Sequence, residues 1–320
     1  MALNVLDFEK PIAELDQNIA ALKRISEEEE IDRSAEISAL EEHRDKLIEE
    51  IFSHLTAWDK TLMARHPSRP YAMDYIRGVF DDFVELHGDR LFADDNAIIG
   101  GCAFLDGKPV MVIGHQKGRD LKERQFRNFG SAKPEGYRKA LRLMKMAQKF
   151  GRPIVCLVDT PAADCSFGSE ERGISEAIAR NMMEMSMLTV PVVVIIIGEG
   201  GSGGAIGLAV GNKILMLEHS IYSVIPPESC AAIIWRDSTK GPEAAEALKI
   251  TAQSALENGV IDEIIQEPLG GAHRNFEATS IALKEAITRN LADLAKLSPK
   301  ALVEQRYGKF RAMGKFETAG

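Results

Sequence analysis

Several absences narrow this 320-residue chain before any motif is read. The longest apolar run, Val190 to Ile197, is eight residues and contains Pro191, whereas a membrane helix needs about 20. No basic stretch followed by an apolar core opens the chain, so no secretory signal is expected. Cysteine is scarce. Cys102, Cys156, Cys165 and Cys230 form no C-x-x-C pair, and their neighbours lack the Cys/His spacing of a zinc site. A reduced, cytoplasmic protein with no metal of its own is the expected class. The seven histidines are scattered, and no nucleophile–base–acid grouping stands out.

What is present is an ordinary globular mix, 45% hydrophobic and 27% charged, long enough for two domains or one large domain with an extension. The net charge of −9 argues against a general nucleic-acid binder. That charge is uneven. From His115 to Phe150 there are eleven Lys/Arg and three Asp/Glu, an excess of +8 that leaves −17 for the rest. Such an island fits a local anionic ligand or, more plainly, a solvated helix face.

Ile12, Leu15, Ile19 and Leu22, then Ile37, Leu40, Leu47 and Ile51, recur at three–four spacing. They predict an amphipathic helical hairpin turning near Asp32 to Ser34. It cannot bury both apolar stripes by itself, so it is expected to pack on the rest of the chain or on a partner. Pro67 and Pro70 mark a boundary. The resulting division is a hairpin over 1–66, an α/β body over 71–298 and a polar tail over 299–320. In the body, a helix is predicted over 72–86, and strands over 97–105 and 109–115 joined at Asp106-Gly107. A helix over 134–150, started by Pro134, precedes a buried strand over 153–158. One long helix over 169–188 follows, with Met182, Met183, Met185 and Met187 as core filler. The strand over 191–197 is wholly apolar, as in a sheet covered on both faces. Strands near 213–217, 221–225 and 260–265, short helices opening at Pro227, Pro242 and Thr251, and a helix over 276–294 complete the pattern.

The most informative segment is Gly198-Glu199-Gly200-Gly201-Ser202-Gly203-Gly204-Ala205. Five glycines in seven residues point to a backbone turn that another molecule approaches closely, rather than to packing. A phosphate loop would need Gly-Lys-Ser/Thr at its end, and no lysine is there. Gly198, Gly200 and Gly203 spell G-x-G-x-x-G, with Glu218 where a ribose-binding acid would stand. The following helix, however, must end by Gly211-Asn212, too soon for a crossover to a parallel strand. The third chemistry is an oxyanion hole, in which each donor is worth about 10²–10³ in rate. A tight turn without ligand is the plain alternative. His115 and His219 read as structural histidines, so the reactant or cofactor is expected to bring its own base.

These glycines occur with Glu85-Leu86-His87-Gly88-Asp89-Arg90, with Glu170-Glu171-Arg172-Gly173, and with Ser175-Glu176-Ala177-Ile178-Ala179-Arg180-Asn181. Two further stretches are Ile221-Tyr222-Ser223-Val224-Ile225-Pro226-Pro227-Glu228 and Glu267-Pro268-Leu269-Gly270-Gly271-Ala272-His273-Arg274. Together they resemble the carboxyltransferase alpha subunits of bacterial-type acetyl-CoA carboxylase over nearly the whole chain. The resemblance implies an α/β, crotonase-like (ClpP/crotonase) fold with an N-terminal helical hairpin extension. It implies an α2β2 assembly with a beta subunit that carries a zinc ribbon. It also implies biotin on a separate biotin carboxyl carrier protein, and a biotin carboxylase that consumes ATP. The implied reaction carries a carboxyl group from carboxybiotin to acetyl-CoA, giving malonyl-CoA for fatty-acid synthesis.

By the same resemblance the N–H groups of Gly203 and Gly204 form the hole for the carboxybiotin oxygen. Gly200, Gly201, Ala162 and Ala163 line the biotin side. From the basic island, Lys117, Arg119, Lys122, Arg124 and Arg127 are expected to meet CoA phosphates or the carrier. One departure stands out. Where the family has Asp-Thr-Pro-Gly-Ala-Tyr-Pro-Gly, this chain has Asp159-Thr160-Pro161-Ala162-Ala163-Asp164-Cys165-Ser166. A positive φ at Ala162 would be strained. Two other readings remain open. A crotonase-type acyl-CoA hydratase or isomerase would use Glu199 and Glu228 as its carboxylate pair. A non-catalytic interaction protein would bind a partner through the hairpin and nucleic acid through the basic island.

Overall fold

The computed structural model describes residues 5–314, so the opening Met1 to Asn4 and the end of the predicted tail, 315–320, lie outside the described residues. The hairpin forms as spaced, with α1 (Lys10–Glu29) and α2 (Ser34–Ser53). Ile12, Ile19 and Ile48 are buried, while Leu22, Ile37, Leu40 and Leu47 stay half-buried. The hairpin is tied to the body at its root. The buried Glu9 carboxylate accepts from His273 Nε2 at 2.9 Å and lies 3.6 Å from His66 Nε2. Arg274 pairs with Asp16 at 2.5 Å, and the Phe52 ring tilts against His219.

These anchors make Glu9→Ala a test of docking. The variant should lose a charge-assisted bond worth about 1.5–3 kcal/mol, so residues 10–53 should be cut roughly tenfold faster in limited proteolysis. The melting of the body should hold steady. Unchanged cleavage would mean that the apolar contacts of Ile12 and Ile19 hold the hairpin without Glu9.

Next in the chain, α3 (Ala57–Ala64) starts at a capping box of Thr56 and Asp59. It packs into the body, with Ala57 and Ala64 beside Ile221, Ala245 and Ile250. The predicted 72–86 helix is half helix and half strand. α4 (Ala72–Val79) ends at Phe80, and β1 (Asp81–Glu85) pairs antiparallel with β2 (Ile98–Leu105). The open edge of β2 captures residues that by themselves continue an amphipathic pattern. β2 turns into β3 (Lys108–His115) through Asp106 and Gly107, both at positive φ, as a primed hairpin turn requires.

From β3 the sheet becomes parallel, through β4 (Ile154–Thr160), β5 (Val192–Gly201), β6 (Lys213–Leu217) and β8 (Glu263–Ile265). β7 (Ile221–Ser223) pairs with the far end of β5 instead, from Glu199 to Gly201. β5 is buried along its whole length and holds three neighbours. The polar stretch after β3 carries α5 (Leu121–Phe126), and α6 (Pro134–Lys149) follows.

The predicted 169–188 helix is two helices, α7 (Phe167–Glu171) and α8 (Ile174–Ser186), broken where Gly173 takes a φ of 78°. Of its four methionines only Met185 is core. Met182 is half-buried, and Met183 and Met187 are about half exposed. A short α9 (Ser202–Ile206) caps β5. Then come α10 (Pro227–Trp235), α11 (Gly241–Leu248), α12 (Ala252–Glu257), α13 (Phe276–Leu294) and α14 (Pro299–Ala312).

α6 and α8 cover one sheet face with Tyr137, Leu143, Met144 and Met185. α4 and α13 cover the other with Tyr75, Ile76, Leu283 and Ile287. The stretch read as a polar tail is thus in large part a docked helix. Arg306 is wholly buried and donates to the carbonyls of Met185, Leu188 and Val190. A guanidinium can be buried there because its N–H fork meets several carbonyls between the end of α8 and the start of β5, together with Asn212 Oδ1.

Candidate functional site

The C-terminal ends of β3, β4 and β5 meet at one edge of the sheet, where open parallel sheets hold ligands. They bring together Lys117, the Asp159–Ser166 loop and the glycine segment. β5 runs straight through Gly201, so the expected glycine turn is the end of a strand followed by the first turn of α9. Most of these glycines do serve packing, against the expectation from sequence. A Cβ on Gly201 would stand 1.9 Å from the Pro161 carbonyl oxygen, and one on Gly204 2.6 Å from Ala163 N. The molecule that approaches closely is this chain's own 161–163 loop. Gly203 differs, because a Cβ there would meet only Ile178 Cδ1 at 3.6 Å. In the first turn of α9 the N–H groups of Gly203 and Gly204 have no intrahelical partner.

Beneath the glycines lies a charge network. Lys117 Nζ is 2.8 Å from both Asp159 Oδ1 and Glu199 Oε2. Arg65, at the end of α3, gives Nε to Glu199 at 2.7 Å and Nη1 to Glu228 at 2.5 Å. Asp159 also accepts the Glu199 backbone N–H at 2.9 Å. Burial alone would raise the Glu199 pKa, but Lys117 and Arg65 bring it down to about 2. For Lys117, burial is likewise outweighed by Asp159 and Glu199, and its pKa is raised. Glu199 is therefore a fixed anion and no proton carrier near neutral pH. That removes one of the two carboxylates required by the hydratase or isomerase reading.

The other basic residues of the island are largely committed to the protein itself. Arg119 donates to the Pro67 and Arg69 carbonyls and to Asp74, and it stacks on Tyr71. Arg124 reaches the Gly118 carbonyl and Arg127 the Asn96 carbonyl. Lys122 is exposed on α5, without a partner among the described residues. In the altered loop, Ala162 is not among the residues with positive φ, so no strain arises there. Asp164 takes over as organiser, accepting from Ser166, Ser169 and Asn128.

His115 is fully buried, and neither ring nitrogen has a well-formed hydrogen bond. Burial first, then the Lys117 charge, lower its pKa to about 3, against a weaker pull from the Gly204 carbonyl. His219 is buried too, its pKa lowered by burial and its Nδ1 unpaired. Neither is placed as a base.

Glu9, His66 and His273 come close enough to suggest a metal. Two features oppose it. Ser68 N–H donates to His66 Nδ1 at 3.1 Å, which puts the proton of the neutral ring on Nε2, the nitrogen facing Glu9. The two imidazoles also stack, centroids 4.0 Å apart and tilted 31°, instead of splaying toward one point. Elsewhere, Glu267 takes two bonds from buried Arg69, which also reaches the Ile197 carbonyl and so locks the 267–274 segment to β5.

Sequence alone does not mark Arg65, a single arginine at a helix end, nor the aromatic Tyr137 behind α9. Both matter through partners far away in the chain, Glu228 and Gly204.

A mixed sheet whose central strand ends in glycines and pairs sideways with β7, with a short helix after it, defines the crotonase-like carboxyltransferase fold. The transcarboxylase 12S core superposes with a TM-score of 0.58 at 16% identity, covering 79% of this chain and 45% of that one. A Pseudomonas malonate decarboxylase hetero-tetramer in complex with coenzyme A gives 0.55 at 16% identity, covering 66% and 84%. These likenesses concern the fold.

The family described as acetyl co-enzyme A carboxylase carboxyltransferase-like matches residues 5–314, and the chain belongs to it. An acetyl-coenzyme A carboxylase carboxyl transferase subunit alpha from Geobacter metallireducens is 58% identical over 311 residues, 97% of this chain and 98% of that protein. Relatives of the same name from Halorhodospira halophila and Listeria monocytogenes are each 53% identical over 98% of this chain and 99% of theirs. No helix among the described residues is long and apolar enough to cross a membrane.

Proposed function

We propose that this chain is the alpha half of an acetyl-CoA carboxyltransferase. With a beta subunit it transfers the carboxyl group from carboxybiotin, borne on a carrier protein, to acetyl-CoA, and malonyl-CoA for fatty-acid synthesis results. The observation that carries this reading is the 58% identity to a carboxyl transferase alpha subunit along nearly the full length of both chains.

Carboxybiotin supplies CO₂ and a ureido anion that takes the methyl proton of acetyl-CoA. What the protein must do is stabilise two oxyanions, the ureido oxygen and the thioester enolate. In this reading the N–H groups of Gly203 and Gly204 meet the ureido oxygen, and the beta subunit supplies the donors for the enolate. Among the described residues no side-chain base is poised, since Glu199 is locked and His115 and His219 are buried, which fits this reading. The finer parts of the reading are an α2β2 stoichiometry, zinc in the beta subunit, a biotin carboxylase that recharges the carrier, and a cytoplasmic setting.

One experiment tests the core of it. The purified chain alone should form no malonyl-CoA from carboxybiotin and acetyl-CoA, and should do so once a beta subunit is added. Turnover by the chain alone would overturn the two-hole division. A smaller effect is expected at the free lysine of the island. Lys122→Glu should raise KM for acetyl-CoA or carrier a few-fold and change its salt dependence, with kcat held. A KM equal to wild type at all salt concentrations would make Lys122 a solvated surface charge.

A further inference from the structure

At five residues α9 is too short to hold its own shape in water. Its carbonyls are gripped from outside by two buried side chains. The Tyr137 hydroxyl on α6 donates to the Gly204 carbonyl at 3.2 Å. Asn181 Nδ2 on α8 donates to the Gly207 carbonyl, just past the end of α9, at 3.1 Å. Neither side chain is accessible to solvent. Tyr137 also sets the spacing, because a Cβ on Gly207 would stand 2.7 Å from its ring. Burial raises its pKa, so the hydroxyl remains a donor.

The consequence runs through the peptide planes. Gly207 N–H donates to the Gly203 carbonyl at 3.1 Å, and that carbonyl shares a rigid plane with Gly204 N–H. Asn181 fixes Gly207, and Tyr137 fixes the next plane, at the Gly204 carbonyl. Between them the direction of the Gly204 N–H is set by two helices that would not themselves touch the anion.

We infer that Tyr137 and Asn181 are positioning residues, which aim the Gly204 N–H group at the oxyanion. This rests on the reading above that this group faces the carboxybiotin oxygen. A donor works only where it is held near its productive geometry, within about 0.5 Å. Losing aim should therefore cost part of the 10²–10³ or so that a whole donor supplies.

The test uses the chain assembled with a beta subunit and biotinylated carrier. Tyr137→Phe keeps the ring and removes only the hydroxyl, and Asn181→Leu removes the amide at similar volume. Each should lower kcat about 5- to 30-fold with KM for acetyl-CoA unchanged. Hydrogen–deuterium exchange over residues 202–208 should quicken in both. Ile98→Val, a core change beside α6, should do neither. Unchanged exchange in both variants, or an unchanged kcat, would overturn the inference. Gly204→Val, whose side chain would press on the 162–163 backbone, separates the two claims. If it abolishes activity while Tyr137→Phe does not, the donors stand and the positioning role falls. If Gly204→Val turns over normally, the donor assignment itself is wrong, whereas the exchange result still reports on how α9 is held.

Discussion

Gly204→Val should lower the kcat of the assembled carboxyltransferase by about 10²–10³ or more, roughly 2.7–4 kcal/mol. The reason is local. A Cβ at this position would stand 2.6 Å from Ala163 N and 2.7 Å from the Ala162 carbonyl carbon, both backbone atoms that cannot swing aside. A valine must push the 161–163 loop away from α9, and the proposed N–H donors and the proposed biotin-side wall are then disturbed together. Gly203→Ala is the contrast. Its methyl would meet Ile178 at an ordinary 3.6 Å, so it should fold and keep most of the turnover. Steady-state kinetics decide the matter, with gel filtration to confirm assembly. An assembled Gly204→Val enzyme with normal kcat would move the oxyanion donors elsewhere.

Lys117→Met should be the most destabilising single change at the site. It leaves Asp159 and Glu199 sharing one wall with only Arg65 to offset them. Removing one partner from a buried ion pair costs about 3–5 kcal/mol, because the remaining charge stays desolvated. For a chain of this size each kcal/mol is roughly 2–4 °C, so the melting temperature should drop by about 6–20 °C. Lys122→Met, on the exposed α5, should shift it by no more than about 0.5 kcal/mol. Equal melting of the two variants would show that the network contributes nothing net.

The contrast between these two lysines shows where the sequence was informative. Periodicity located α1, α2, α6 and α13 and the apolar strands, because burial imposes a repeat that composition displays. It did not resolve α4 from β1, since the choice is made by the free edge of β2. The break inside 169–188 depends on one glycine, Gly173, that reads like any other interior glycine. At the site, the glycine segment was visible but its purpose was only half legible. What Gly201 and Gly204 avoid is backbone from residues some forty positions earlier, and no local pattern encodes that. Lys117 and Lys122 look alike in a basic run, yet one is interior and the other solvated, because only Lys117 lies at the end of a strand facing two carboxylates.

The docking of α14 has a consequence for how the chain is made. Arg306 follows Met185 by 121 residues, and its guanidinium closes the carbonyls between the end of α8 and the start of β5. During synthesis those carbonyls are ready long before their partner exists. Until residue 306 emerges, water must occupy its place, at the foot of the strand whose other end carries the glycines. The nascent body is therefore unsealed at the base of its central strand until residue 306 arrives.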